Sequence, residues 1–173
     1  PTLSRLESTI GYYMVFLQVE IFLKKLIYPN ISSSSMYILT QNLYFPPVEQ
    51  ADKTGILAIG GDLSIPRLLL AYKSGVFPWY NEDEPILWWA PQKRMVVVPQ
   101  HYTMHKSMHN IFNRKIFDIT FNKDFYQVIT TCKNIYRRDQ QGTWISDEIV
   151  EAYTRLHEMG LARSVEVWQN KKL

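Results

Sequence analysis

Thiols, long apolar runs and an excess of either charge are all scarce in this 173-residue sequence. One cysteine, Cys132, is present. An internal disulfide framework and a multi-thiolate zinc site are therefore excluded, and a reducing compartment is the expected setting. Lys and Arg number 19 against 16 Asp and Glu, a net charge of +3. So small an excess does not by itself argue for a nucleic-acid partner; a local basic patch has to carry that reading. The most apolar stretch, Gly11 to Leu23, is interrupted by Gln18 and Glu20 and closed by Lys24 and Lys25. A spanning helix wants about 18 apolar residues in a row. A secretory signal wants basic residues before its apolar part, where only Arg5 stands, and small residues after it. A surface-lying amphipathic segment is the one membrane alternative left open. What the chain does have is 46% apolar and 14% aromatic residues, enough for a core in one domain or one domain with a smaller appendage.

Pro1 is not an initiator. Residues 1–35 thus read as an extension outside the fold, arising by processing, fragmentation or upstream translation, with Met36 as the natural start. From there the patterning is that of a mixed α and β protein. Gly55 to Asp62 is a short apolar strand ending in a tight turn. Ser64 is placed to cap a helix with Pro66 in its first turn, and Ile65, Leu68, Leu69 and Tyr72 recur on one helical face. Gly75 closes that helix as the residue beyond its C-cap. Ile86 to Trp89 and Met95 to Val98 read as two strands around an Ala-Pro turn. Met104, Met108, Ile111 and Phe112 form a helical stripe. Phe117, Ile119 and Phe121 alternate as a half-buried strand. Phe125, Val128, Ile129 and Cys132 mark a second helix. A loop through Arg137 and Arg138 runs to Gly142. Ser146 caps a third helix, with Ile149, Ala152, Tyr153, Leu156 and Met159 inward and Gly160 at its end. Val165 and Val167 alternate with Glu166 and Trp168 in a strand, and Asn170-Lys171-Lys172 reads as a hairpin turn. A strand ending at its turn implies a further partner strand.

Few residues here lend themselves to chemistry. Cys132 is a candidate nucleophile in principle, but it sits on the apolar stripe of its helix, so a buried structural thiol is the better reading. His101, His105 and His109 fall at i, i+4 and i+8. That spacing suits a metal on a continuous helix, yet Pro99 argues against a helical His101, and no metal site is assigned. Glu82 to Glu84 read as a solvated loop. The Gly60-Gly61-Asp62 turn matches neither a dinucleotide fingerprint nor a P-loop and reads as a structural turn. The five tryptophans are more informative. Trp79 follows Phe-Pro and Trp144 follows Gly-Thr, both loop-like contexts where an exposed indole stacks on a base for about 1–3 kcal/mol. Trp88 and Trp89, in an apolar run, read as core. Lys106, Arg114 and Lys115 cluster in ten residues. Alone they describe a solvated helix face; beside base-stacking tryptophans they describe an RNA-backbone footprint.

In order along the chain stand Phe45-Pro46-Pro47, Gly55-Ile-Leu-Ala-Ile-Gly-Gly-Asp-Leu-Ser64, Gly75-Val-Phe-Pro-Trp79 and Pro85-Ile-Leu-Trp-Trp-Ala-Pro91. Gly142-Thr-Trp-Ile145, Glu151-Ala-Tyr153, Leu156-His157 and Ser164-Val-Glu-Val-Trp168 follow. From about Tyr44 to Leu173 the sequence resembles the leucyl/phenylalanyl-tRNA–protein transferases. The resemblance implies an α+β fold: a small N-terminal α+β domain over residues 36–91, then the first half of a GNAT-like acyltransferase domain over residues 92–173. It implies an enzyme that moves Leu, Phe or Met from charged tRNA to the N-terminal Arg or Lys of proteins, marking them for degradation by the N-degron route. It implies no cofactor and no metal, a cytoplasmic setting, a monomer and no membrane. Trp79 and Trp144 match the tryptophans that hold the terminal adenosine. Lys106, Arg114 and Lys115 fall in the tRNA-facing helix, where Asn110 and Asn113 replace positive residues of some members, and Arg163 stands where many members carry His. The family's catalytic residues lie beyond Leu173, so no catalytic residue is assigned here and the chain alone is expected to be inactive. A non-catalytic tRNA- or RNA-binding module is the alternative from another class; a purely structural or non-functional fragment is a third.

Overall fold

The computed structural model describes residues 37–136 and 143–173. The apolar run from Gly11 to Leu23, the start at Met36, the Arg137–Arg138 loop and Gly142 lie outside the described residues. The fold is mixed α and β, with two sheets and four α-helices among the described residues.

The first sheet is built from β1 (Tyr37–Leu39), β2 (Ile56–Gly60), β3 (Phe77–Pro78) and β4 (Leu87–Trp89), in the order β1-β2-β4-β3. β1 runs parallel to β2, and β4 is antiparallel to both its neighbours. Ile56, Leu57 and Ala58 are buried in succession, as are Leu87, Trp88 and Trp89. A strand reads as continuously apolar when both its faces are covered. Trp88 is fully buried, donates from Nε1 to the Gly60 carbonyl at 2.8 Å, and meets Phe45 edge-on at 4.9 Å.

Helix α1 (Ile65–Lys73) starts where expected. Ser64 is its N-cap residue, but its side chain makes no capping bond; its own N–H is held by Asp62 Oδ1 at 2.9 Å. Gly75 follows with φ of +71°, a conformation that costs glycine little. The expected face is inward at Leu68, with Ile65 and Leu69 packed against the core, and it differs at Arg67 and Tyr72. Leu68 and Ala71 are inside together with Arg67, which is 0% exposed, whereas Tyr72 is 44% exposed. The burial of Arg67 is tolerated because its guanidinium finds acceptors: Thr40 O at 2.7 Å, Asn42 O at 3.2 Å and Asp62 Oδ2 at 3.2 Å. A charge enters a core only when so partnered.

Gly55 closes the approach of this sheet to the chain leaving it. Its φ is +98°, Ala90 N–H donates to its carbonyl at 2.7 Å, and a Cβ there would stand 2.9 Å from Pro91 Cα. Gly55→Ala is therefore expected to cost more than about 1 kcal/mol, since both the backbone conformation and the backbone contact oppose it. An unchanged urea midpoint would refute this.

The second half holds α2 (Lys106–Asn113), β5 (Asp118–Phe121), α3 (Phe125–Asn134), α4 (Asp147–Glu158) and β6 (Val165–Trp168). β5 and β6 pair antiparallel, Thr120 opposite Glu166 and Phe121 opposite Val165. α3 is capped by Asp124, which accepts from Gln127 N–H at 3.0 Å. It buries Phe125, Val128 and Ile129, with Cys132 packed at the rim of the core. α4 is capped by Ser146, whose Oγ accepts from Ile149 N–H at 3.2 Å, and Gly160 ends it at φ +72°. Gln169 and Lys172 bridge around Asn170 and Lys171, both at positive φ, the geometry of a two-residue hairpin turn.

Four expectations are corrected here. Met95 to Val98 form no strand and are 78%, 74%, 71% and 44% exposed; an apolar run without alternation suits a strand covered on both faces, and no described residue supplies ladder or cover. The stripe of Met104, Met108, Ile111 and Phe112 gives a helix, but α2 buries none of its residues. Met159 lies at the C-cap of α4, turned out of the core and 59% exposed. In the β5–β6 pair the faces are exchanged: Ile119 and Phe121 point outward, while Glu166, expected outside, is 0% exposed. The period of two holds and the side does not, because Thr120 and Ser164 supply hydroxyls inside that pattern.

Candidate functional site

Trp79 and Trp144 are both in the core, 8% and 7% exposed, not presented on open loops. Trp79 closes β3. Its N–H donates to Leu87 O at 2.9 Å, its carbonyl accepts from Trp89 Nε1 at 2.7 Å, and the two indoles lie 5.0 Å apart at 54°. Trp144 sits two residues before the α4 N-cap, its carbonyl accepting from Ser146 N–H at 3.1 Å. Each indole is thus set by rigid backbone on a different part of the chain, within one continuous apolar cluster that also holds Phe125, Ile149 and Leu156.

Between these two parts the contacts are specific. The hydroxyls of Tyr72 on α1 and Tyr153 on α4 are hydrogen-bonded, with the rings edge to face at 6.4 Å. Tyr80, next to Trp79, is 6% exposed. The Ser146 hydroxyl and the Glu148 carboxylate lie near it. Burial pushes the Tyr80 phenol up, the Ser146 hydroxyl opposes this and the Glu148 charge adds to it, leaving the phenol above its ordinary value and neutral. A cleft of about 500 Å³ runs alongside, walled by Asp62, Ser64 and Ile86 on one side and Glu148, Glu151 and Arg155 on the other. Neither Trp79 nor Trp144 lines it.

Lys106, Arg114 and Lys115 are exposed along α2 and just past it, Lys115 at φ +48°. None of them is in an ion pair among the described residues. From Pro91 to Phe117 the sequence has no Asp or Glu, but has Lys93, Arg94 and these three cations. His101 lies in a separate 3₁₀ turn, Pro99–His101, His105 is the N-cap residue of α2 and His109 is within it. Among the described residues no group of three His, Cys, Asp or Glu is placed to hold a metal, and no helix is long and apolar enough to cross a membrane.

Glu166 was missed by sequence reasoning. Its Oε1 accepts from Ser164 Oγ at 2.5 Å, Lys123 N at 3.1 Å and Asp124 N at 3.3 Å, and its Oε2 from Thr120 Oγ1 at 2.6 Å. Burial alone would raise its pKa; the hydroxyl and backbone donors outweigh it and hold the carboxyl below the ordinary glutamate value. A carboxylate so engaged is a structural anchor for the start of α3, not a free base. The signal was the polar residue on alternate positions of both strands, Thr120 and Glu166. The Tyr72–Tyr153 pair and Tyr80 were hidden among apolar neighbours.

The geometry is that of an α+β protein in which a four-stranded sheet and the helices α1, α3 and α4 share one aromatic core. Comparison with known proteins gives it a place. The family profile described as the leucyl/phenylalanyl-tRNA protein transferase N-terminal domain matches residues 61–92, and the profile described as leucyl/phenylalanyl-tRNA protein transferase matches residues 96–173. A protein of Flavobacterium johnsoniae called leucyl/phenylalanyl-tRNA–protein transferase is 58% identical over 138 residues, covering 80% of this chain and 65% of that protein. Relatives of the same name from Flavobacterium psychrophilum and Thermodesulfovibrio yellowstonii are 51% identical over 138 residues and 52% over 137, covering 80% and 79% of this chain and 65% and 56% of theirs. The chain belongs to the leucyl/phenylalanyl-tRNA–protein transferase family. It spans less than two thirds of the length of these curated relatives.

Proposed function

We propose that the protein of which this chain is part is an aminoacyltransferase that moves Leu, Phe or Met from charged tRNA to the N-terminal Arg or Lys of a protein. The observation that carries the reading is the succession of the two family matches along one chain, with about half or more of the aligned residues shared with the curated relatives. The reaction needs no cofactor. The acceptor's α-amine attacks the ester carbonyl, an amide bond forms, the ester C–O bond breaks, and the proton lost by the amine goes to the leaving adenosine oxygen. The ester is already activated, so catalysis consists of alignment, proton removal and oxyanion stabilisation. No residue of this chain is assigned to those steps; by resemblance the family's catalytic residues lie beyond Leu173. The reading divides the chain at residues 91 and 92 into an N-terminal domain and a GNAT-like acyltransferase domain. It places the protein in the cytoplasm, where charged tRNA is found, as a monomer.

In this reading Trp79 and Trp144 hold the terminal adenosine. Their faces are packed in the structure, so binding has to move a neighbouring side chain. Lys106, Arg114 and Lys115 contact phosphate, where most hydrogen bonds from such side chains to a nucleic acid go. The absence of any acidic side chain between Pro91 and Phe117 supports that footprint. Transfer of labelled Leu from charged tRNA to an Arg-starting peptide tests the activity. Neutralising the three cations is expected to weaken whole-tRNA binding and to flatten its salt dependence by roughly 0.7–0.9 for each phosphate left without its cation. Binding of a minimal aminoacyl-adenosine should be unchanged. An unchanged salt slope would put these side chains in plain solvent. Salt-dependent tRNA binding by the whole protein without transfer would favour the non-catalytic RNA-binding module.

A further inference from the structure

Five Lys and Arg residues lie between Pro91 and Phe117, and one of them, Arg94, is spent on the protein itself. It donates from Nη2 to the Gly75 carbonyl and from Nε to the Pro91 carbonyl at 3.2 Å, and its guanidinium carbon stands 5.7 Å from the centre of the Phe77 ring. Each contact has a physical reason. Gly75 lies just past the C-cap of α1, at the negative end of that helix. A guanidinium within about 6 Å of an aromatic face is attracted to it. The planar fork serves both carbonyls at once, which an ammonium group does less well. Among the described residues, no other hydrogen bond ties the stretch from Gln92 to Met104 to the rest of the protein. Met95 to Val98 are exposed and α2 buries none of its residues, so packing does not hold this stretch either. Its far end continues through α2 to β5. Its near end is held by Arg94, which falls between the two family matches, one ending at residue 92 and the other beginning at 96. Phe77 opens β3, two residues before Trp79. We infer that Arg94 is a positioning residue, clasping the cation-bearing stretch to the strand that leads to Trp79, so that the phosphates and the terminal adenosine of one charged tRNA are met at a fixed spacing. This rests on the proposed function, because it takes Lys106, Arg114 and Lys115 as phosphate contacts and Trp79 as part of the adenosine site.

The test compares Arg94→Lys and Arg94→Gln with wild type in the whole protein. Three quantities are read: the affinity for Leu-charged tRNA over a salt series, the affinity for a non-hydrolysable Leu-adenosine amide, and the rate of chymotrypsin cleavage after the exposed Tyr102. Both variants are expected to be cut faster at Tyr102. Both should bind the tRNA about 5- to 30-fold more weakly, the cost of ordering one further backbone residue on binding. The amide reaches only one of the two linked sites and should bind as it does to wild type. The salt dependence should keep its slope, because no phosphate loses its cation. A shallower slope for Arg94→Gln, with Arg94→Lys like wild type, makes Arg94 a phosphate contact and overturns the inference. Unchanged tRNA affinity or unchanged cleavage in both variants overturns it as well and leaves a surface tie of no consequence. Parallel loss of amide and tRNA binding also overturns it, since the adenosine site itself would then depend on Arg94. Failure of the wild type to bind either compound removes the proposed function, and the role of Arg94 with it.

Discussion

Replacing Glu166 by Ala is expected to cost about 3–5 kcal/mol, a large part of the stability of an ordinary domain. The side chain is fully buried and four donors converge on it. Alanine would leave the Ser164 hydroxyl buried and unbonded and release the Lys123 and Asp124 N–H groups, just before α3, from the strand pair, each at about 1–3 kcal/mol if water cannot reach it. Trp168 adds to the dependence, because its Nε1 donates to the same Thr120 Oγ1 at 2.8 Å. Glu166→Gln should fall between wild type and Ala: it keeps the volume but turns an NH₂ toward donors. The wild type should also show a pH signature. The folded carboxyl lies below its reference value of 4.5, so the unfolded chain takes up this proton first as pH falls. The contribution of Glu166 is complete above that reference value and is lost as pH drops through the lower folded value. Urea unfolding of wild type and Glu166→Gln between pH 7 and pH 3 checks this, with the gap between the two curves closing on the acid side. Parallel curves would mean that the carboxylate is not held as described.

Which parts of this structure were legible beforehand follows from where local rules decide. The ends of α1 and α4, the cap at Ser146, the terminating Gly75 and Gly160 and the turn at Asn170 and Lys171 are all set by backbone chemistry within a few residues, and each stands where expected. The burial of Arg67 on α1 and the facing of the β5–β6 pair were not legible. Hydrophobic periodicity assumes that charge goes outside, and Arg67 and Glu166 go inside because distant partners, Thr40 and Asn42 for one and Thr120 for the other, satisfy them. Met95 to Val98 failed for the opposite reason: the pattern was that of a covered strand, and the cover is not among the described residues. For the site, the aromatic strings made the tryptophans visible, but a loop-like sequence context gave no access to their burial. That depends on Trp89 lying across Trp79 and on the α4 end that Trp144 precedes.

That burial changes how the adenosine site has to be tested. Trp79→Ala or Trp144→Ala is expected to lower stability by about 3–5 kcal/mol, as for any buried tryptophan cut to alanine, in addition to losing about 1–3 kcal/mol of base stacking. A bare loss of activity would therefore not separate a binding role from a folding role. Trp88 supplies the control. It is the more deeply buried, at 0% exposed against 8% and 7%, and it spends its Nε1 on Gly60 O, so Trp88→Phe should destabilise through the lost hydrogen bond and reduced packing while leaving adenine affinity intact once the protein is folded. Trp79→Phe keeps an aromatic face and, because the bond from Trp89 Nε1 ends on the Trp79 backbone carbonyl, keeps that tie as well. It should lose less stability than the alanine variant and retain part of the stacking. Adenine affinity measured well below each variant's unfolding midpoint should then rank wild type first, Trp79→Phe and Trp144→Phe next and the two alanine variants last, with Trp88→Phe beside wild type. If affinity instead follows the midpoints, so that Trp88→Phe loses as much as its stability predicts, the two indoles are core residues and the base binds elsewhere.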